Sequence, residues 1–598
     1  MSRFEELGFK AGLEIHQQLS GTKLFCACPT VVREDEPDFE VVRELRASAG
    51  ESGAVDVAAA HEHRKQKRFV YQGYQDSTCL VELDEEPVSA PSSDALEAAV
   101  VVAELLSMKR FDAVHVMRKV VVDGSNTSGF QRTMAVASDG VIGGVRVDRL
   151  CLEEDSCRVV SRGQERDVYN LSRLGIPLLE ITTKPDITSP QHLQEVASEL
   201  GMVLRSTGRV KRGLGTIRQD VNISIAQGAR VEIKGVQDLE GMPLLAENEV
   251  LRQEGLIAIK DKITPLDEDT NVTTDVTACF KTAKGWVGEA IKKKEKVVGM
   301  RVAQAKGLFG TEFFAGYRFG TEVAGYAKAN GFGGIIHSDE KPSKYGLDSW
   351  DAVNKKLKVN SSDAFILLVS KNTTLMHTTL GIYLTEAINE IARAGVPSCV
   401  RKDNGDGTTT YLRPMPGAAR MYPETDVRRV DVSSIEVELP ELLTDKAARL
   451  SKEYSVSEDV AWQVCRQDRA ELFEAWASRL PASLVADVLV VKEKELRRRH
   501  EVEFDVEGIA QELFKQLDAG VVSKSAVEDA LVMYAKKGSV DWASFKTLSE
   551  DEVRKVIKEV VAADPEAPFG ALMGAAMGRL GGKADGQLVS KLLREEQG

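Results

Sequence analysis

The tightest constraint on the fold is a change of texture along the chain. Up to about residue 270, short β-type runs such as Ala113–Val122, Val141–Leu152 and Val231–Val236 are punctuated by turns such as Asp123-Gly124-Ser125 and Asp139-Gly140. Helical periodicity enters that region only near residues 94–110 and 190–207. The second stretch is opened by Thr188-Ser189-Pro190, with proline where a first turn tolerates it. Beyond residue 437 β signals are few. Ala461–Phe473, Leu484–Leu496 and Ala526–Ala535 space their apolar residues for amphipathic helices, and a Gly-, Ala- and Met-rich stretch (569–586) precedes a last helix at Gln587–Leu593. The chain therefore reads as α+β and multidomain, with an antiparallel-sheet domain first and an all-α region last.

Between these parts, residues 278–411 alternate helix-like and strand-like segments. They close on Asp403-Asn404-Gly405-Asp406-Gly407, a hairpin turn between Cys399–Arg401 and Thr408–Leu412. This stretch is expected to be a small α/β module inserted into a first domain that spans 1–277 and resumes at 412–436. A helical domain over 437–508 and a helical tail over 509–598 would follow. The start of the insertion is strongly basic: eight Lys or Arg stand against two Glu within residues 281–306.

Composition narrows the class. A length of 598 residues supports three to five domains at roughly 100–200 residues each. Apolar residues at 43% and charged residues at 28% exclude collagenous and disordered chains. The net charge of −14 argues against an indiscriminate polyanion coat and leaves room for a local nucleic-acid site. Eight cysteines are too few for a secreted disulfide framework. The first residues, MSRFEELGFK, lack an apolar signal-peptide core, and no run of 18 uncharged apolar residues occurs. The expectation is a cytoplasmic protein with no membrane partner.

Four segments of the first domain concentrate ligand-type side chains. In Gly12–Leu19, alternation puts Glu14, His16 and Gln18 on one strand face and Leu13 and Ile15 on the other. Glu153, Glu154 and Asp155 follow an apolar strand. Glu180 lies inside the apolar run Gly175–Thr182, where an unpartnered carboxylate would be costly. In Arg212–Ser224, Arg218, Asp220, Asn222 and Ser224 share a face, and Arg230, Glu232 and Lys234 repeat the pattern on what reads as the next strand of a hairpin. An imidazole with carboxylates from several strands suits Mg²⁺ or Mn²⁺; a buried ion-pair network with Arg173 or Arg218 is the alternative. Arg218 could clamp a phosphate or carboxylate, with Asp220 as a further metal ligand. No G-x-x-x-x-G-K-[ST] loop, G-x-S-x-G elbow or recognisable glutaminase nucleophile occurs. Cys26 and Cys28 form one C-x-C pair without a second close pair, so zinc is not expected.

Read in order, GLEIHQQL (12–19), KLFCACP (23–29), CLEED (151–155), LSRLGIPLLEITTKPDI (171–187), GTIRQDVNISI (215–225) and RPMPGAARMYPETDV (413–427) resemble the B/E subunit family of glutamyl-tRNA(Gln) amidotransferases. NGFGGIIHSDE (330–340) and GRLGGKADG (578–586) extend the likeness over essentially the whole chain. It is to the archaeal-type E branch, since the insertion resembles the extra domain of bacterial aspartyl-tRNA synthetases, which the bacterial B subunit lacks. The resemblance implies an ATP-dependent carbon–nitrogen ligase with glutamine as amido donor. The first domain would be a catalytic cradle that phosphorylates the γ-carboxylate of Glu-tRNA(Gln) with ATP and lets ammonia displace phosphate, giving Gln-tRNA(Gln).

By that resemblance Glu14, His16, Glu153 or Glu154, and Glu180 surround Mg²⁺, with Glu14, His16 and Glu180 catalytic. Arg218 as a catalytic residue, Asp220 as a metal ligand, and Asn222 and Lys234 as substrate contacts are added from face and charge. The family further implies an asparaginase-like D subunit that supplies ammonia, in a two-plus-two heterotetramer, and a tRNA-binding helical tail. Arg497, Arg498, Arg499, Arg579 and Lys583 are the expected phosphate contacts. A non-catalytic tRNA-binding scaffold of the same complex is the alternative reading.

Overall fold

Alternation of apolar and polar residues along nine- to thirteen-residue strands requires a broad sheet with one covered face, and the computed structural model contains one. It describes residues 2–45, 68–121, 123–163, 166–266, 272–415, 421–502, 504–581 and 583–597. Residues 416–420 of the motif at 413–427 lie outside the described residues. The chain divides into two compact units, Met1–Leu439 and Pro440–Gly598.

In the first unit the main sheet takes β1 (Lys10–Gln18), β2 (Lys109–Arg110), β3 (Met117–Val120), β4 (Phe130–Ile142), β5 (Val145–Glu154), β6 (Pro177–Thr183), β7 (Ile217–Ser224), β8 (Val231–Val236), β9 (Cys399–Asp403), β10 (Thr409–Pro414) and β11 (Met421–Pro423). Their order is β10-β9-β8-β7-β1-β6-β5-β4-β3-β11, with β2 on β4. Every pairing is antiparallel except that of β8 with β9. β1 thus lies between β6 and β7, which the sequence places far from it.

Leu13, Ile15, Leu152, Leu179, Ile181, Val221, Ile223 and Ile233 are fully buried on one face. Among the helices that contact that sheet are α1 (Ser93–Leu105), α2 (Pro190–Ser206) and α3 (Met242–Lys260). α1 and α2 begin where expected. Ser92 and Ser189 each cap a helix by accepting a backbone N–H, and Pro190 occupies the first turn of α2. The stretch Val141–Leu152 is not one run but a hairpin, reversed at Gly143 and Gly144, both in the left-handed region. A separate four-stranded sheet is made from Phe39–Arg43, Arg68–Gly73, Arg158–Arg162 and Arg166–Asn170.

The inserted stretch has its own antiparallel sheet of Thr274–Asp275, Lys296–Val302, Ala364–Ser370 and Ile336–His337, and its own core around Phe280, Val287, Trp350 and Phe365. The hairpin at 399–412 exists, but its strands β9 and β10 extend the main sheet rather than the insertion's sheet. The second unit is helical, from Leu443–Tyr454 to Gly586–Gln597. The expected helix at Ala461–Phe473 is two helices, Glu458–Arg466 and Ala470–Ala477, separated at Asp468, which adopts a left-handed conformation. No helix among the described residues is long and apolar enough to cross a membrane.

Candidate active site

The face of the main sheet opposite α1–α3 is polar because the period of two puts every second residue there. Register brings those residues into rows: His16 lies between Glu180 and Arg218, and Glu14 lies beside Asp220. The tightest group is Glu14, His16 and Glu180, whose ligand atoms all fall within 4.8 Å of one another. His16 Nε2 is 3.2 Å from Glu180 Oε2 and 3.7 Å from Glu14 Oε1. Lys119 on β3 reaches Glu180 Oε2 at 3.6 Å and Glu153 Oε1 at 3.3 Å. Gln131 donates to Glu153 Oε2 at 3.1 Å.

The sequence leaves Glu153 and Glu154 equally open as metal ligands. Pairing of Glu153 with Thr133 settles the parity: Glu153 joins Lys119 and Gln131 on the polar side. Glu154 turns to the other face, where Arg132 contacts its carboxylate at 3.4 Å and donates its backbone N–H. Glu154 thus pairs with Arg132 on the face away from the His16 group.

The remaining candidates divide as clearly. Arg218 donates to Asp155 Oδ1 at 2.9 Å, and Gln18 donates to Asp155 Oδ2 at 2.6 Å. Arg173 lies 3.6 Å from the same carboxylate. The ion-pair alternative for Glu180 therefore involves neither Arg173 nor Arg218; its cation is Lys119. Asp220 is taken up by Lys234 at 2.5 Å and by the N–H of Gly235, and Lys234 also binds Glu232 at 2.5 Å. Asn222 sits opposite Gly12, two residues further along β7 from Asp220.

Electrostatics follow from burial and charge crowding. Burial and the charge of Glu180 push the Glu14 carboxyl up to about 7, against the pull of His16 and Lys234. Glu180 goes the other way, to about 2: burial raises it, but the His16 hydrogen bond and the Lys119 charge outweigh burial. Burial lowers His16 while the hydrogen bond and charge of Glu180 lift it, and the net direction is up. Burial raises Glu153, with Glu180 adding to it. One imidazole and two adjacent carboxylates, with Glu153 beyond Lys119, form a hard donor set that fits Mg²⁺ or Mn²⁺.

Sequence reasoning missed Lys119, and it singled out Asp155 without its role as the common partner of Arg218, Gln18 and Arg173. Lys119 had a signal: an adjacent Arg118-Lys119 pair inside an apolar β run must send one cation to each face. Arg118 goes to the far side, where Glu424 accepts from it at 2.5 Å and from Arg132 at 2.8 Å. A second group, Cys26, Cys28, Cys79 and Glu82, also gathers its ligand atoms within 4.8 Å. The fold supplies Cys79 and Glu82 to the single C-x-C pair. Three thiols and a carboxylate suit a soft divalent ion, although Glu82 already holds the buried Lys23 ammonium at 2.8 Å.

In the second unit, Arg498 and Arg499 line a shallow groove with Lys494 and Val491. Arg497 pairs with Glu493 at 3.5 Å and Arg499 with Glu528 at 2.6 Å. Arg579 reaches Glu559 at 4.0 Å, and the backbone of Lys583 bonds Leu580 and Leu548.

Residues 9–438 match the GatB/GatE catalytic domain, and residues 471–596 match the GatB domain. The chain is 43% identical to the E subunit of the glutamyl-tRNA(Gln) amidotransferase of Methanocaldococcus jannaschii, over 99% of both chains. It is 43% identical to the E subunit from Haloarcula marismortui and 40% identical to that from Thermococcus gammatolerans, each over 99% of this chain and 98% of the relative. The residues that build the polar face of the main sheet all fall inside the matched catalytic domain, and the chain belongs to the GatB/GatE family.

Proposed function

We propose that this chain is the subunit of a glutamyl-tRNA(Gln) amidotransferase that phosphorylates the γ-carboxylate of Glu-tRNA(Gln) with ATP and amidates it with ammonia. The observation that carries the reading is the convergence of Glu14, His16 and Glu180, with Lys119 and Glu153 beside them, on the polar face of a sheet whose other face is buried. The names of the archaeal relatives support the substrate and reaction class.

The reaction needs activation because a carboxylate is a poor acyl donor, and phosphorylation turns its oxygen into a leaving phosphate. Glu14, His16 and Glu180 would hold Mg²⁺, which when bound supplies charge neutralisation for phosphoryl transfer. Lys119, placed between two carboxylates, offsets negative charge on the same face. Arg218, fixed by Asp155, presents its guanidinium to an anionic group. Lys234 and Asn222 line the neighbouring strands as substrate contacts. The thiol group of Cys26, Cys28 and Cys79 has no step in this chemistry. Ammonia would come from glutamine through an asparaginase-like D subunit, in a two-plus-two assembly located in the cytoplasm.

The test uses purified chain with MgCl₂, ATP, ammonium chloride and glutamyl-tRNA(Gln), following glutaminyl-tRNA and ADP. Product is expected with ammonium and not with glutamine, and glutamine should serve once the D subunit is added. Glu180→Gln should lower turnover on the order of 100-fold while tRNA affinity stays within about threefold. Absence of product even with the D subunit would leave the scaffold reading in its place, and unchanged turnover in the variant would remove Glu180 from the cation site.

A further inference from the structure

The basic run at the start of the insertion is unused by the chemistry above. In the structure it folds around one helix, α4 (Gly285–Lys292), whose Val287, Gly288 and Ala290 are buried against the insertion's core. Lys281 and Lys284 precede the helix, and Lys292, Lys293 and Lys294 end it; all five are exposed. None of them has an ion-pair partner among the described residues. That contrasts with Lys119, Lys234, Arg252 and Arg401, each held by carboxylates. Between the two lysine groups stands Trp286, 51% exposed and braced edge-on by Tyr345 at 6.1 Å.

Helix stability explains only half of this arrangement. Cations at the C-terminal end favour the helix dipole, so Lys292 and Lys293 stabilise α4. Lys281 and Lys284 sit at the positive end, where the dipole disfavours them, and Lys284 occupies the N-cap without a capping hydrogen bond. Nothing in the fold offsets that cost, and the exposed indole adds a second one. Unpaired ammonium groups on both sides of a rigid, exposed aromatic are what RNA binding uses: phosphates meet the cations and a base or ribose stacks on the ring. The helix is about 12 Å long, so the two groups can engage phosphates on either side of a nucleotide seated on Trp286. Glu289 is the one carboxylate on the exposed part of α4.

We propose that α4 of the insertion, with Trp286 between Lys281/Lys284 and Lys292–Lys294, is a docking surface for the RNA of the tRNA substrate. The identity of that RNA rests on the function proposed above; the surface itself rests on α4.

The experiment measures binding of a tRNA(Gln) transcript to the full chain between 50 and 300 mM KCl, by fluorescence anisotropy. Replacing Lys292, Lys293 and Lys294 together by Ala should weaken binding about tenfold at the lowest salt and make the slope of log K against log[salt] shallower by about 2. Replacing the same three by Arg should restore both, which separates charge from folding. Trp286→Ala should weaken binding about tenfold with the slope unchanged, since stacking releases no counterions. Unchanged affinity and slope in the Ala variant overturns the proposal. Loss of D-subunit binding with tRNA binding intact also overturns it, making the surface a protein interface. Ammonium-dependent amidation is run on the same preparations. Patch-dependent tRNA binding without amidation by the wild type, even with the D subunit added, would sink the proposed function and leave the RNA surface standing.

Discussion

At Glu14 the physics of a shared site is concentrated in one carboxyl. It is held near 7 by burial and by Glu180, so it keeps its proton below that pH while an unfolded chain would have released it near 4.5. In the absence of a cation, stability is therefore lost as pH rises from about 4.5 through 7, as the native carboxyl is forced to ionise. A divalent cation reverses the preference, because it needs the ionised form. Mn²⁺ affinity should rise about tenfold per pH unit below 7, or more steeply where His16 also releases a proton, and flatten above it. Titration of the chain with Mn²⁺ by electron paramagnetic resonance from pH 5.5 to 8 checks this. A flat profile in the wild type, or an unaltered one in Glu14→Gln, would remove Glu14 from the cation site. Glu14, His16 and Gln18 were legible as one face because the pleat fixes parity along a strand. Whether Glu153 or Glu154 joined them was not, because parity on a second strand depends on register against Thr133.

At the scale of elements, α3, α5 (Phe319–Ala329) and β9 are tied by a wholly buried ionic network. Arg252 on α3 binds Glu249 at 2.8 Å and Glu322 on α5 at 3.0 Å. Arg401 on β9 binds the same Glu322 oxygen at 3.0 Å, and Tyr317 donates to the other at 2.6 Å. This network joins the insertion to the main sheet at the strand where the two pair in parallel, and both lie within the first compact unit. Two guanidinium groups share one carboxylate, so neutralising it leaves buried charge uncompensated. Glu322→Gln is expected to lower unfolding stability by about 3–5 kcal/mol, read as an earlier midpoint in urea. A midpoint shift corresponding to less than about 1 kcal/mol would show that the network is dispensable. None of this could be read from the sequence: Arg252, Glu322 and Arg401 are separated by 70 and 79 residues and carry no local pattern.

Across the whole molecule, the candidate chemistry lies in the first unit, while basic surface is divided between α4 in that unit and a groove in the second. The Glu14–His16–Glu180 group belongs to Met1–Leu439, and the groove of Lys494, Arg498 and Arg499 belongs to Pro440–Gly598. If the expected phosphate contacts of the second unit bind tRNA, truncation before Pro440 weakens tRNA(Gln) binding at least about tenfold and flattens its salt dependence, because fewer counterions are released. Filter binding of the truncated chain at several salt concentrations measures both. Full affinity after truncation would place the anchor in the first unit.

Periodicity, start signals and parity are local, so the order of residues was enough for the α+β class, the helical end, the start of α2 at Ser189-Pro190, and the polar face of β1. It also carried motifs long enough to assign the family. Folding had to settle that β1 lies between β6 and β7, that Lys119 rather than an arginine faces Glu180, that Glu154 points away, and that Cys79 and Glu82 meet Cys26 and Cys28. Each of these depends on which strands become neighbours and in what register, and that choice is made by burying a common apolar face contributed by strands far apart in the chain.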